Sequence, residues 1–448
     1  MLARVSEAFA AVGRLIAVLI EGLVALGWLL VKGASVFASG GRAALLPFVT
    51  DAQAQSRVYA VLRAFWPNLS LKAQVMKAYE NTGTAVVTRH ADCLDVLSRD
   101  AEFEVVYGPR MRKLTDGANF FLGMQPGWPY TRDTSAMRLA ARRTDVAETV
   151  LPRAASLSER IVAEAEGEID LVPALSRHVP WDMTERYFGV GGRPDEMQRW
   201  TTELFWYLFE DLPADPDLEA RAMAHAAGLR DTLDRAVAER KASGQRGETI
   251  LDRCLALQRA ETPGMDDLGI RNNLLGILIG AIPTISKACC LALDELLRRP
   301  EVLARAHRAA RECDPVFEQF LWEALRFNPH SPIIYRRATR DTVIARSTLR
   351  AVQVRKGQIV FAATQSALFD RTRIAQPTRF RTDRPWEEYI IWGYGMHSCF
   401  GAAINKALIP AILRPLIARP GLRRAEGAAG QIDTGGTPHP QHFHLRFD

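Results

Sequence analysis

One cysteine near the C-terminus constrains this chain more than any other residue. Cys399 stands in the run Trp392-Gly393-Tyr394-Gly395-Met396-His397-Ser398-Cys399-Phe400-Gly401. Glycines lie four residues before the sulfur and two after it, and Gly tolerates backbone angles that a tight loop requires. Such a loop lets backbone amides approach the sulfur, stabilise a thiolate and lower its pKa. Ala402 to Ile409 reads as the start of a helix directly behind the loop, whose N-terminus adds partial positive charge. The pattern suits a thiolate ligand to a large, planar, redox-active metal group.

Composition narrows the surroundings of that loop. The chain has 448 residues, about half of them apolar, enough for a sizeable core. Its formal charge of +6 comes from arginines scattered along the chain, with no basic block, which argues against a nucleic-acid partner. The other cysteines, Cys93, Cys254, Cys289, Cys290 and Cys313, form neither a CxxC pair nor a zinc spacing. A reducing, cytoplasmic setting fits that usage better than secretion.

The N-terminus, taken as residues 1–45, stands apart from a main body of residues 46–448. Leu15 to Val31 is strongly apolar and flanked by Arg14 and Lys32, but Glu21 interrupts it. Glu7, Arg14 and Glu21 recur every seven residues and draw a narrow polar stripe on a helix. Two readings stay open: a helix lying on a membrane surface, or one packed in a groove of the protein. Beyond it, helical patterns dominate, at Leu157–Glu164, Asp182–Phe188, Met197–Leu208, Ala220–Lys241, Asp266–Arg299 and Glu318–Phe327. Thr84–Thr88, Ile333–Tyr335 and Gln358–Phe361 read as short strands. The fold class is mainly α with small β-sheets.

The cysteine run resembles the heme-binding loop of the cytochrome P450 superfamily. Glu323-Ala324-Leu325-Arg326, then Gln376-Pro377-Thr378-Arg379-Phe380-Arg381-Thr382-Asp383-Arg384, stand before it in the order of that family's ExxR and PxxFxxxR segments. The resemblance implies the P450 fold over about four-fifths of the chain and heme b (iron protoporphyrin IX) as cofactor. It implies Cys399 as the axial ligand, with Trp392 covering the sulfur side and Gly393 and Gly401 shaping the loop. It assigns Glu323, Arg326 and Arg384 to a structural network. It places His397 and Arg336 at the heme propionates, where a guanidinium grips a carboxylate well. Tyr130, Arg132 and Arg138, on the helix after Pro126, are candidates for a second propionate clamp, with surface positions as the alternative.

The distal helix departs from the family. Gly280-Ala281-Ile282-Pro283-Thr284 keeps the hydroxyl at Thr284 but carries Pro283 where oxygen-activating members have an acid. Proline cannot donate a proton, and it is expected to kink the helix and expose carbonyls to water. Ser286 and Lys287 are near enough in sequence to be alternative proton sources. Thr284 is read as a catalytic hydroxyl of the distal pocket, against the alternative of bonding back to its own helix. Apolar walls are expected from Phe120, Phe121, Leu122, Ile277, Gly280, Ala281, Ile333 and Ile334, and they suit a small hydrophobic substrate such as a fatty acid, terpenoid or steroid. The leading expectation is a monooxygenase fed by a separate ferredoxin or flavoprotein, since no Rossmann glycine fingerprint is present. A peroxide- or lipid-hydroperoxide-using member and a non-catalytic heme-binding protein are the alternatives.

Overall fold

The computed structural model describes residues 2–45, 48 and 51–448, with side chains described for 9–45, 48, 51 and 53–448. Glu7, of the expected polar stripe, and position 46, the expected start of the main body, lie outside the described side chains or residues. The chain folds into two compact units interleaved in sequence. The first holds residues 1–76, 80–104 and 331–396, and the second holds 77–79, 105–330 and 397–448.

The first unit is built on helices α1 (Leu2–Gly40) and α2 (Ala52–Phe65) and a five-stranded sheet. Its strands are β1 (Asn68–Leu71), β2 (Thr84–Val87), β3 (Phe103–Glu104), β4 (Ile334–Ala338) and β5 (Ile359–Ala362). They lie in the order β1-β2-β5-β4-β3, and only the β2–β5 pair is parallel. Buried Ala85, Val87, Val360 and Ala362 form the sheet core, and Ile334 packs against it. The N-terminal helix α1 packs against α2 within this unit. Val18, Gly22 and Ala25 of α1 are buried, and a Cβ at Gly22 would come within 2.2 Å of the Ala64 methyl carbon. Only a glycine allows helices to approach that closely. Glu21 pairs with Arg371 at 3.0 Å and Arg63 at 3.6 Å.

The second unit is mainly helical, with a small sheet of Glu168–Asp170, Arg423–Arg424 and His444–Arg446. Four of its helices position the site: α3 (Trp128–Ala140), α4 (Pro194–Phe205), α5 (Asp267–Leu297) and α6 (Phe317–Phe327). A fifth, α7 (Ala402–Ile417), follows the cysteine. The α5 helix starts at Asp266, whose carboxylate accepts the Gly269 amide at 2.6 Å, a strong N-cap. It is apolar nearly all round and runs buried through the unit, as such a helix must. The chain stays helical through Pro283, and that residue is buried. In α6, Phe317, Phe320, Leu321, Ala324 and Leu325 recur at helical spacing and are all buried.

On α6, Glu323 and Arg326 are completely buried and joined by two hydrogen bonds, Nε to Oε2 at 2.8 Å and Nη2 to Oε1 at 2.9 Å. Arg384 lies in the first unit, where it grips its own segment. It donates to the carbonyls of Ala375 (2.8 Å) and Gln376 (2.9 Å) and pairs with Glu388 at 3.0 Å. Removing one member of a buried pair leaves the other charge uncompensated. Arg326→Leu is expected to destabilise the protein by about 3–5 kcal/mol, read as a lowered urea midpoint at unchanged slope.

Candidate active site

The cysteine loop explains its own glycines in part. Gly393 and Gly395 sit at φ 74° and 75°, the left-handed region. A Cβ at Gly395 would come within 2.3 Å of the Leu97 carbonyl oxygen. Gly401, by contrast, has an ordinary φ of −82°, and a Cβ there would stand 3.9 Å from the Cys399 sulfur. What Gly401 supplies is its amide, which lowers the Cys399 pKa. The α7 helix opens at Ala402, and Asn405 Nδ2 donates to the sulfur at 3.9 Å. Burial nevertheless dominates and pushes the thiol up, opposite to the direction expected from the amides alone.

Within the second unit, Cys399 faces a cavity. Gly276, Ile277, Gly280, Ala281 and Ile285 of α5 line it, with Phe121 and Leu122 from the loop before Pro126. Phe400, Gly401, Ile404 and Leu408 complete the wall near the sulfur, and Met183, Tyr187 and Phe188 extend it. A side chain at Gly280 would meet nothing within 4 Å, so this glycine keeps the α5 wall open. Phe120 does not line the cavity. It is buried with its ring over Gly276, whose Cβ would fall 2.3 Å from it. Ile333 and Ile334 belong to the first unit, where Ile334 packs on the sheet.

Three of the propionate candidates gather beside the loop. The Tyr130 ring meets the His397 ring edge-on at 5.1 Å, and the Arg138 guanidinium lies 4.8 Å over the Phe400 ring. Arg132 is turned elsewhere and pairs with Asp133 at 2.6 Å. Arg336 and Trp392 belong to the first unit. Arg336 is buried and donates to the Tyr335 carbonyl at 2.9 Å, and the Trp392 ring packs tilted against Trp386 at 5.2 Å. An apolar cavity bearing one thiol, with cationic and hydroxyl groups grouped beside the loop, fits a heme. Cys399 would hold the metal and the apolar walls the macrocycle, with Tyr130, His397 and Arg138 near its acidic edge.

Thr284 bonds back to its own helix, donating to the Gly280 carbonyl at 2.5 Å with a longer contact to Ala281 at 3.4 Å. Ser286 turns away to Ser176 at 3.0 Å. Lys287 joins a buried cluster that sequence reading missed. Its Nζ donates to Glu210 Oε1 at 2.7 Å, and His439 Nε2 lies 3.2 Å from Glu210 Oε2. The His330 ring stands 6.0 Å from that of His439, and Phe205 packs edge-on against both. The Pro283 carbonyl faces His439 and favours its protonated form, although burial lowers that histidine on balance. Burial pushes the Glu210 carboxyl up, but His439 and Lys287 outweigh it and bring it down to about 2. These residues lie 43 to 229 positions apart, with no local motif to join them.

The fold and the thiol-bearing cavity together define a heme-thiolate protein. The family model for cytochrome P450 matches residues 75–418, and the chain belongs to that family. Its members' shared chemistry makes this a P450-type oxidoreductase with a heme iron cofactor. Mycinamicin IV hydroxylase/epoxidase of Micromonospora griseorubida is 27% identical over 356 residues, covering 75% of this chain and 82% of that enzyme. A segment of 147 residues is 30% identical to a bifunctional dioxygenase–epoxy alcohol synthase of Fusarium oxysporum, spanning 32% of this chain and 11% of that enzyme. The solved structure of cytochrome P450 CYP109Q5 from Chondromyces apiculatus covers 90% of this chain and 96% of its own, with a TM-score of 0.71 at 19% identity, a likeness of fold.

Two outcomes follow for the site. Cys399→Ala is expected to abolish the carbon monoxide difference band of heme-thiolate ligation while leaving far-UV circular dichroism unchanged. Because the folded pKa of Glu210 lies below its ordinary value of 4.5, its contribution to stability is present above about pH 4.5 and lost as pH falls toward 2. The stability advantage of wild type over Glu210→Gln should therefore shrink across that window in urea titrations.

Proposed function

We propose that this chain is a monooxygenase acting on a small hydrophobic molecule, using heme b and electrons from a separate ferredoxin or flavoprotein. The observation that carries this reading is the apolar cavity with Cys399 in its wall and the open Gly280 position on α5. When bound, the heme supplies the oxygen activation, for which an axial thiolate is suited. The chain's residues hold and shape the site. Gly280 and Ala281 leave room along α5, and Ile277, Ile285, Phe121 and Leu122 exclude water from it. Thr284 keeps its hydroxyl proton on the Gly280 carbonyl, one residue beyond a proline that can hold no proton. One relative matched over most of its length is named a hydroxylase/epoxidase and another an N-oxygenase, which supports oxygen insertion.

Pro283 favours a second reading, in which the oxygen–oxygen bond arrives ready-made in a peroxide and no acid beside Thr284 is needed. The segment similar to a fungal epoxy alcohol synthase is in keeping with it. The test compares product formation from a panel of fatty acids, terpenes and steroids under two regimes. One uses NAD(P)H with a ferredoxin and its reductase, and the other uses hydrogen peroxide alone. Faster partner-driven turnover is expected. Faster peroxide-driven turnover would establish the second reading. No turnover by either route, from compounds that shift the heme spectrum, would leave a heme-binding protein.

A further inference from the structure

The strand His444–Arg446 of the second unit and the residues just before it carry a His-x-His run that the cavity does not use. Phe443 and Leu445 are buried, whereas His442, His444 and Arg446 stand on the opposite, outer face. Such alternation belongs to a strand with one face on the core, and it sets both imidazoles on the same side. His444 pairs in register with Asp170 of the neighbouring strand Glu168–Asp170, which brings that carboxylate to the same face. His442 Nδ1 lies 2.6 Å from Asp170 Oδ2, and His444 Nε2 lies 3.6 Å from the same oxygen. The two rings are stacked with centroids 6.2 Å apart. All three ligand atoms lie within 4.8 Å of one another.

Backbone groups hold the carboxylate in this attitude. Asp170 Oδ1 accepts the Phe443 amide at 2.9 Å and the Val172 amide at 3.4 Å, which leaves Oδ2 to the imidazoles. The Leu171 amide donates to the Phe443 carbonyl at 2.9 Å and locks the two segments beside the cluster. Arg177, which feels the Asp170 charge, directs its guanidinium to the Pro440 carbonyl (2.6 Å) and Gln441 Oε1 (3.1 Å) instead. A hydrogen-bonded Asp–His pair needs one imidazole, whereas here one oxygen faces two. A tetrahedral ion with bonds of about 2.0–2.2 Å sets neighbouring ligands roughly 3.3 Å apart. The observed 2.6 and 3.6 Å bracket that spacing. Two imidazoles and a carboxylate suit zinc and its first-row neighbours better than Mg2+ or Ca2+. A ligating carboxylate is usually braced by hydrogen bonds of its own, as Asp170 is.

We propose that Asp170, His442 and His444 form a zinc site on the outer face of this sheet, with water completing the tetrahedron. None of the three lines the cavity that holds Cys399, so the site is separate from the heme. Their side chains are 16, 55 and 36% exposed, and the ion enters from solvent. It clips the strand His444–Arg446 to Glu168–Asp170. The latter leads into Val172–Ser176, where Ser176 Oγ lies 3.0 Å from Ser286 Oγ of α5, so the clip steadies a segment packed on the distal helix.

The test is calorimetric titration of the heme-loaded full chain with Zn2+ and, separately, with Mg2+. Zn2+ should bind at one tight equivalent, and Mg2+ should give no binding heat. His442→Ala, His444→Ala and Asp170→Asn should each weaken Zn2+ binding by at least about tenfold, the least that disturbing even an outer partner of a metal ligand costs. Asp170→Asn keeps an oxygen for the two amides, and unchanged circular dichroism and carbon monoxide spectra establish that each variant is folded. Zn2+ should also raise the thermal midpoint of wild type and leave those of the variants unmoved, because it binds the folded state. Cys313→Ser, which removes the exposed thiol, should bind Zn2+ like wild type. Absence of stoichiometric Zn2+ binding would overturn the proposal, as would folded histidine variants that bind like wild type. Loss of the equivalent in Cys313→Ser would assign the ion to that thiol and overturn it too.

Discussion

A sulfur meant to carry negative charge is half-buried at the wall of an apolar cavity, and much of the second unit is arranged around that constraint. Desolvation penalises a thiolate, and one amide and a helix N-terminus do not offset it in the apoprotein. A metal cation opposite the sulfur reverses that balance. The cavity therefore makes electrostatic sense as a cofactor cradle and little sense as a void. The surrounding features serve rigidity. The bidentate pair on α6, buried to zero exposure, fixes a helix that contributes no atom to the cavity.

Local patterns carried far in the sequence. The α5 and α6 helices were legible from apolar periodicity, and their observed bounds differ from expectation by a residue or two. The cysteine loop was legible because its residues are contiguous. So were Phe121, Leu122, Ile277, Gly280 and Ala281 as cavity walls, since glycines and apolar residues on a long helix leave a readable face.

What was not legible depends on tertiary approach. Glu210, Lys287, His330 and His439 come from four separate segments, and each alone looks like an ordinary polar residue. Asn405 could have been found, since it stands on the first turn of the helix predicted behind the cysteine. Ile334 was placed by its β-branched strand signal, but which face of a strand meets the sheet core depends on register, and the sheet takes it. Pro283 was read as a kink that turns carbonyls toward water. Instead the buried α5 helix absorbs the proline, and its carbonyl meets His439 rather than solvent.

The distribution of thiols has a practical side. Cys93, Cys254, Cys289 and Cys290 are buried, and the sulfur of Cys399 would be occupied by metal in the loaded protein. Burial holds the first four thiols well above their usual range, which makes them poor nucleophiles at neutral pH. Cys313, in the left-handed backbone region just after a helix, is the exposed one. The protein thus comes with a single natural attachment point, where a maleimide dye or spin label can be placed without engineering a cysteine-free background.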